Sequence, residues 1–224
     1  FANPAQRLEI VATSGTDIVN VNSLASGYVS LVIRGDDVAD VVNFNGPLTF
    51  AAAQGLTVAD VGTVNLPYTS SDIAASGTGA VIITTLRNIA LASGSSIATA
   101  DGDITLSANQ QAEPTAGGPL VGLSLSAAAI TTTGSGNISL AGRGGTSGAA
   151  NHGIRLQSAA AITGGTAGTV TVRGTGGLGD GDQNVGVLVT GSNSRISSAG
   201  AAVLVEGTGG GDGIGNANWG VVVY

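Results

Sequence analysis

The sequence predicts an all-β fold, a right-handed parallel β-helix (a solenoid) with three short strands in each coil. One short sequence motif recurs at intervals of 34, 32 and 33 residues, and its copies begin at Ile104, Ile138, Val170 and Val203. A fixed period of this length is the signature of a coil built by repetition. Apolar residues make up 42% of the chain but aromatic residues only 3%, so aliphatic side chains must fill a narrow core.

Each repeat of the C-terminal half contains three short apolar segments, which we predict to be strands. Alternation, as in Ile154-Arg155-Leu156, directs two side chains inward and one outward. Glycines and serines mark the corners between strands. The first strands open at Ile89, Leu123, Ile154, Val187 and Val221, the second strands are marked by Ile97, Ile130, Ile162 and Ile196, and the third strands open at Ile104, Ile138, Val170 and Val203.

The N-terminal half keeps the same order of strands with shorter connections. Its third strands open at Leu8, Leu31, Leu56 and Val81, its first strands at Val19, Val42 and Val64, and its second strands are marked by Leu24, Leu48 and Ile73. Residues 1–106 therefore form coils of about 23–25 residues, and residues 107–224 form coils of about 31–34 residues with Gly-rich loops at one corner. We expect a single solenoid of about eight coils over residues 1–224.

Strands that recur once per coil must lie parallel to those of the neighbouring coils. Crossover connections between parallel strands of one sheet are right-handed in about 98% of cases, which gives the predicted hand. A β-sandwich is the alternative, but it would not require a constant coil length. Coils that stack about 4.8 Å apart would build a rod of roughly 35 Å.

Stacking also predicts ladders of like residues. Three asparagines occupy equivalent places in the short coils, three more precede the first strands of the long coils, and glycines stand immediately before those strands. Stacked amides can satisfy one another along the axis, and the glycines meet backbone geometry that a Cβ would oppose. The ladders are Asn20, Asn43 and Asn65; Asn151, Asn184 and Asn218; and Gly122, Gly153, Gly186 and Gly220.

The charge of the chain argues against nucleic-acid and membrane partners, and its acidic residues concentrate along one edge of the predicted rod. The net charge is −7, the seven basic residues are all Arg, and no apolar run is long enough to span a membrane.

Ten of the 14 acidic residues fall between a third strand and the next first strand, where carboxylates, amides and carbonyls could bind Ca²⁺. The alternative is that these loops are acidic because they are exposed, and none matches a known calcium motif. The Ca²⁺ candidates are Asp36, Asp37, Asp40, Asp180, Asp182 and Asp212.

The sequence predicts no enzyme. Cleavage of a polysaccharide requires opposed carboxylates or an acid–base pair, usually beside aromatic platforms, and the chain has one Trp, three Tyr and no Lys. His152, the sole histidine, stands where Val121, Val185 and Trp219 stand in other coils, so we predict a packing or surface residue. Asp101 and Asp103 are expected to form a corner turn.

Two short motifs and the rows of outward-facing side chains do not by themselves indicate a function. Arg34-Gly35-Asp36 is an integrin-type tripeptide, but a motif of three residues arises easily by chance. Asn137-Ile138-Ser139 fits the glycosylation sequon, but we expect Ile138 to be buried in a third strand, which argues against modification there. The outward row of the third strands is too mixed for an ice-binding surface. Five apolar residues expected to face outward must be covered by loops or by a partner: Val32, Ile82, Leu188, Leu204 and Val222.

The repeats resemble the β-helical regions of large secreted bacterial surface proteins. The pattern G-(I/V)-x-(L/V)-x-S-x-A-x-I-T-x-x-G-x-G-x-(I/V)-x-(L/V)-x-G-x-G-G, strongest over residues 119–224, is similar to filamentous-haemagglutinin-like adhesins and autotransporter passenger regions. The resemblance implies an extracellular adhesin, stalk or fibre on the bacterial surface, and it transfers no catalytic, cofactor-binding or metal-binding residue. A chain that starts at Phe1 and stops within a repeat favours a piece of a longer or processed polypeptide.

Three functions follow as hypotheses. The leading one is a non-enzymatic structural or adhesive segment, whose partners are flanking coils, other copies of itself, glycans or proteins of a host or cell surface. The second is a filament subunit that stacks head to tail, because unpaired end strands invite another strand and such a contact does not close. The third is a β-helix that binds or cleaves carbohydrate.

Overall fold

The chain is built from parallel β-strands. A computed structural model describes residues 7–24, 30–115, 117–213 and 215–224, and these residues form twenty strands and no helix. Accordingly, this part of the chain has no helix with the length and apolar character that crossing a membrane requires. The all-β class and the parallel pairing predicted from the sequence are confirmed.

The strands are short, as the alternation predicts. They are β1 (Arg7–Val11), β2 (Ile18–Val21), β3 (Ser30–Arg34), β4 (Val41–Phe44), β5 (Leu48–Phe50), β6 (Leu56–Leu66), β7 (Asp72–Ala75), β8 (Val81–Leu91), β9 (Ser96–Thr99), β10 (Ile104–Ala108), β11 (Leu123–Ser126), β12 (Ala129–Thr132), β13 (Ile138–Arg143), β14 (Ile154–Gln157), β15 (Ala161–Gly164), β16 (Val170–Thr175), β17 (Val187–Val189), β18 (Arg195–Ser198), β19 (Val203–Thr208) and β20 (Val221–Val223).

Two sheets contain these strands. The second strands form a six-stranded sheet in the order β18-β15-β12-β9-β7-β5. The first and third strands share a 14-stranded sheet, whose central path runs β19-β16-β13-β10-β8-β11-β14-β17-β20, and β1 to β4 join this sheet through β6.

Two predicted boundaries are wrong. The third strand opening at Leu56 and the first strand opening at Val64 are one continuous strand, β6, and the same holds for Val81 and Ile89 in β8. The short repeats leave no residues for a loop here, so the chain turns within the strand through register shifts near Val61. No strand is present at Leu24, which packs against the core, and residues 25–29 lie outside the described part.

The register confirms the predicted column of third strands. Leu8 pairs with Leu31, and each later member pairs with its equivalent one repeat further on, through Leu56, Val81, Ile104, Ile138, Val170 and Val203. Within the column, the residues from Leu31 to Val170 are at most 1% exposed, whereas Val203 is 42% exposed. The aliphatic interior is thus continuous along the sheet and open at its last strands.

The outward apolar residues divide into two groups. Ile82 and Leu204 are exposed, and Leu188 is half-buried, as expected for outward positions. Val32 and Val222, which the alternation also directs outward, are each only 9% exposed, so the surrounding chain covers them.

Candidate functional site

Asp40, one of the predicted calcium ligands, is a structural residue. Its side chain is buried, and its carboxylate accepts backbone N–H groups of Asp17 at 2.9 Å and of Asp36 and Asp37 at 3.1 Å each. Burial alone would raise the pKa of Asp40, but the three N–H donors outweigh it and hold the pKa below its usual range. The expectation that every acid in these connections is a surface residue is therefore wrong for Asp40, because a tight turn encloses it.

The other five candidates are dispersed. Asp36 accepts the backbone N–H of Ser14, and Asp37 accepts that of Ala39 within its own turn. Asp182 accepts the backbone N–H of Asn216, 34 residues further on. Asp180 and Asp212 lie on exposed parts of the connections. Among the described residues, no three His, Cys, Asp or Glu side chains stand close enough together to hold a metal ion.

We expect excess Ca²⁺ to leave the melting temperature unchanged. Four of the six candidate carboxylates already accept backbone N–H groups, and a cation that binds only the folded state would have to raise the melting temperature. Thermal unfolding with and without Ca²⁺, with Mg²⁺ as the control, provides the measurement. A rise specific to Ca²⁺ that disappears in Asp36→Asn or Asp182→Asn would contradict this expectation.

Both predicted asparagine ladders are present. In the short repeats, the Asn43 amide donates to the Oδ1 of Asn20, and the Asn65 amide donates to the Oδ1 of Asn43, each at 2.9 Å. The ladder ends at Asn65, because the next register position is Ala90. A parallel rung joins Asn45 to Asn22 at 3.0 Å.

The second ladder holds the long connections in place. Asn184 Oδ1 accepts both the backbone N–H and the side-chain amide of Asn151, at 3.0 and 3.1 Å, and the backbone N–H of Asn184 donates to Asn218 Oδ1 at 2.8 Å. The Asn184 amide also donates to the carbonyls of Gly179 and Gly181, at 2.9 and 2.8 Å. Asn151 and Asn184 thus tie their own Gly-rich loops to the next repeat, and Asn218 ties its loop to the preceding one.

The predicted glycine column has a partner column that the sequence did not reveal. A Cβ at Gly174 would strike the carbonyl oxygen of Gly186, a member of the predicted column. Gly142 faces Gly153 in the same way, and Gly207 faces Gly220. The ends of β13, β16 and β19 therefore approach the start of the following first strand backbone to backbone. The signal in the sequence was the glycine that recurs four residues after the opening of the last three third strands.

Corner residues Asp101 and Asp103 tie repeats together rather than only forming a turn. Asp101 accepts the backbone N–H and the hydroxyl of Ser135, which lower its pKa in that order, and Asp103 accepts the backbone N–H and amide of Asn137. Asn137 in turn accepts the backbone N–H and hydroxyl of Thr169. The chain bends at residues 100–102, and this mixed ladder joins that corner to the corners of the next two repeats.

His152 is a packing residue, as predicted. It is 3% exposed, and within the described part of the chain its buried Nδ1 has no hydrogen-bond partner. Burial, followed by repulsion from Arg155, lowers its pKa to about 4. The imidazole is therefore neutral at pH 7.

Acidification will destabilise the protein through His152. In the unfolded chain the imidazole has its ordinary pKa near 6.5, so between about pH 6.5 and 4 the unfolded state binds the extra proton and unfolding becomes easier as pH falls. We expect a loss of about 2 kcal/mol between pH 7 and 5. Urea unfolding across this range measures it, and His152→Val, which copies Val185 of the next repeat, is the control. Equal slopes in both proteins between pH 7 and 5, above the range where Asp40 titrates, would contradict the assignment.

An open groove crosses the outward face of the first strands. It has a volume of about 390 Å³, and polar side chains line it together with small apolar ones. The outward positions at its floor are Ala90, Ala92, Ser124 and Ser126, between Asn65 on one side and the longer Arg155 and Gln157 on the other.

A second, apolar cavity of about 370 Å³ opens at the last strands. Its lining includes Val189, Ile196, Val205, Val221 and Val223. Within the described residues, β18, β19 and β20 each pair on one side only. Among the described residues, the apolar side chains of these last strands are therefore only partly covered.

No family model matches this chain, and no curated protein or solved structure matches it either.

Proposed function

We propose that this chain is a non-enzymatic structural and adhesive segment of an extracellular bacterial surface protein, a stalk or a fibre. We further propose that it winds as a right-handed parallel β-helix with three strands in each coil. The supporting observation is the unbroken register, in which every third strand from β1 to β19 pairs with its equivalent one repeat away.

The proposed mechanism is mechanical. Each added coil extends the parallel backbone hydrogen bonds, buries another set of aliphatic side chains and adds rungs to the side-chain ladders. Asp103 and Asn184 make such rungs to residues 34 and 33 positions away, so the coils resist separation along the axis. The Gly-rich connections and the outer faces of the strands remain for contacts with partners.

A non-enzymatic role is supported by several acidic side chains and the histidine, which are hydrogen-bonded within the protein or buried. The carboxylates of Asp40, Asp101 and Asp103 accept hydrogen bonds from the backbone or from neighbouring repeats, and His152 is buried among packing residues. General acid–base catalysis needs such groups to face a substrate with a suitable pKa. Of the described aromatic residues that could stack on a sugar, Tyr68, Trp219 and Tyr224 are exposed, and none of them lines the groove.

A glycan array combined with a turnover assay tests this proposal. We expect binding without cleavage, measured by chromatography of each oligosaccharide after long incubation with the protein. Cleavage of any polysaccharide would contradict the non-enzymatic function.

A self-assembling filament subunit is the second candidate, favoured by the open apolar end. Val203, Leu204 and Val223 are exposed on strands that, within the described residues, pair on one side only, and an added copy would cover them. Concentration-dependent fibres in electron micrographs, reduced by Val223→Asp, would support this candidate. A strictly monomeric sedimentation profile would contradict it.

A further inference from the structure

The groove on the outer face of the first strands has the size and position of a binding site. Its volume of about 390 Å³ lies in the range of roughly 300–1,000 Å³ found for small-ligand sites. It lies on the 14-stranded sheet, where neighbouring strands hold its side chains in register. Sheet positions of this kind are more rigid than loop positions.

The groove exists because side-chain size changes across four adjacent strands. Along the outward row, Asn65 on β6 is followed by Ala90 on β8, Ser124 on β11 and Arg155 on β14. The asparagine ladder stops at Ala90, which has no amide to continue it. The short side chains form a floor, and the amide and guanidinium form the two walls.

Arg155 brings a cation without a carboxylate partner into this groove. Its guanidinium donates to the Ser124 hydroxyl at 3.4 Å, and within the described residues its Nε is buried without a hydrogen-bond partner. Burial also lowers the pKa of Arg155, which reflects the lost hydration. Arg7, Arg34 and Arg173 each lie within hydrogen-bonding distance of a glutamate. Among the described residues Arg87, Arg143 and Arg195 also have no carboxylate partner, but only Arg155 lines this groove.

The remaining lining groups are neutral hydrogen-bonding partners. Gln157 donates to the Ser126 hydroxyl at 3.3 Å, and Asn65, with its carbonyl oxygen at the end of the ladder, completes the polar set. No Asp or Glu lines the groove among the described residues, although the chain as a whole carries a net charge of −7. An anion is therefore accepted here without a repelling carboxylate in the wall.

We propose that this groove binds a carboxylate-bearing saccharide. The guanidinium of Arg155 pairs with the carboxylate, amide and hydroxyl groups of Asn65, Ser126 and Gln157 bind the sugar hydroxyls, and Ala90 contacts the C–H face of the ring. A guanidinium is the preferred partner for a planar carboxylate, and hydroxyl-rich ligands need several neutral donors and acceptors. This inference rests on the proposed adhesive function, for which it names the ligand class.

A matched pair of probes tests the inference. A short oligogalacturonate and its methyl ester share the same sugar chain, but the ester replaces each carboxylate with a neutral group that carries one extra methyl. Binding of each is measured by calorimetry or by chemical-shift changes. We expect the acid to bind and the methyl ester to bind about 10-fold or more weakly, since the charged hydrogen bonds to Arg155 are lost. Arg155→Gln should weaken binding of the acid to a similar degree.

Two further variants protect the test from an effect of misfolding. Ala90→Phe fills the groove from an outward strand position and should abolish binding, while the melting curve shows whether the fold persists. Arg173→Gln, an exposed arginine on a third strand, is the control and should leave binding unchanged.

The outcomes separate this inference from the proposed function. Failure of the acid to bind, equal binding of acid and ester, or full binding by Arg155→Gln would overturn the inference. Tighter binding of an acidic peptide than of the saccharide would also overturn it, in favour of a protein ligand. Cleavage of the bound oligosaccharide would instead overturn the non-enzymatic function and leave the groove assignment standing.

Discussion

Gly174→Ala will destabilise the protein by about 3 kcal/mol, because the new methyl group has no space. A Cβ at Gly174 would strike the carbonyl oxygen of Gly186 and lie 2.7 Å from Cγ2 of Val187. Gly186 lies just before β17 and is buried; its N–H donates to the carbonyl of Trp219 and its carbonyl accepts the N–H of Ile154, each at 2.9 Å. Val187 pairs with neighbours on both sides, so neither residue can shift without breaking hydrogen bonds to further repeats. Urea unfolding followed by circular dichroism measures the loss.

Gly118→Ala is the matched control for this substitution. Gly118 is exposed, and a Cβ there would meet nothing within 4 Å. We expect a change within about 0.5 kcal/mol, the usual range for surface substitutions. If both variants unfold at the same urea concentration, the close approach of the two glycine columns contributes nothing to stability.

Asn184→Ala will cost about 2–4 kcal/mol by leaving several buried groups without partners. The substitution removes an acceptor from the backbone N–H and amide of buried Asn151, and a donor from the carbonyls of Gly179 and Gly181. Unsatisfied buried groups cost more than the net gain from the hydrogen bonds that they replace. The loss should appear as lower stability and as faster hydrogen exchange at Asn151 and in the loop before position 184.

Asn216→Ala tests whether any asparagine in these loops would have the same effect. Asn216 is exposed, and it contacts the preceding repeat through its backbone N–H, which donates to Asp182. Because alanine keeps the backbone N–H, this hydrogen bond remains in the variant. We expect stability close to that of the parent protein. An equal loss in both variants would mean that Asn184 has no special role in holding the loop.

The register could be predicted from the sequence because two periods reinforce each other. A one-residue slip would turn every inward side chain of a strand outward, and the repeat length sets which strand lies over which. Leu31 over Leu56 and Val170 over Val203 follow from these two constraints alone. The asparagine ladders follow as well, since equal spacing places Asn20, Asn43 and Asn65 in one row.

The features that could not be predicted depend on which segments the chain brings into contact after each connection between strands. The enclosure of Asp40, the merging of two predicted strands into β6, and the contact of Gly174 with Gly186 all join segments whose approach no local pattern encodes. The same holds for the groove, which needs the side-chain sizes on four neighbouring strands together with their pairing.

The sequence by itself therefore determined the strand class, the parallel pairing and the residues that stack, because these depend on alternation and period. Only the tertiary structure decided which acids are buried, which glycines touch and where Arg155 lacks a carboxylate partner. The physical reason is that burial and contact are set by the distance between chain segments in space, which spacing along the chain leaves open wherever a loop intervenes.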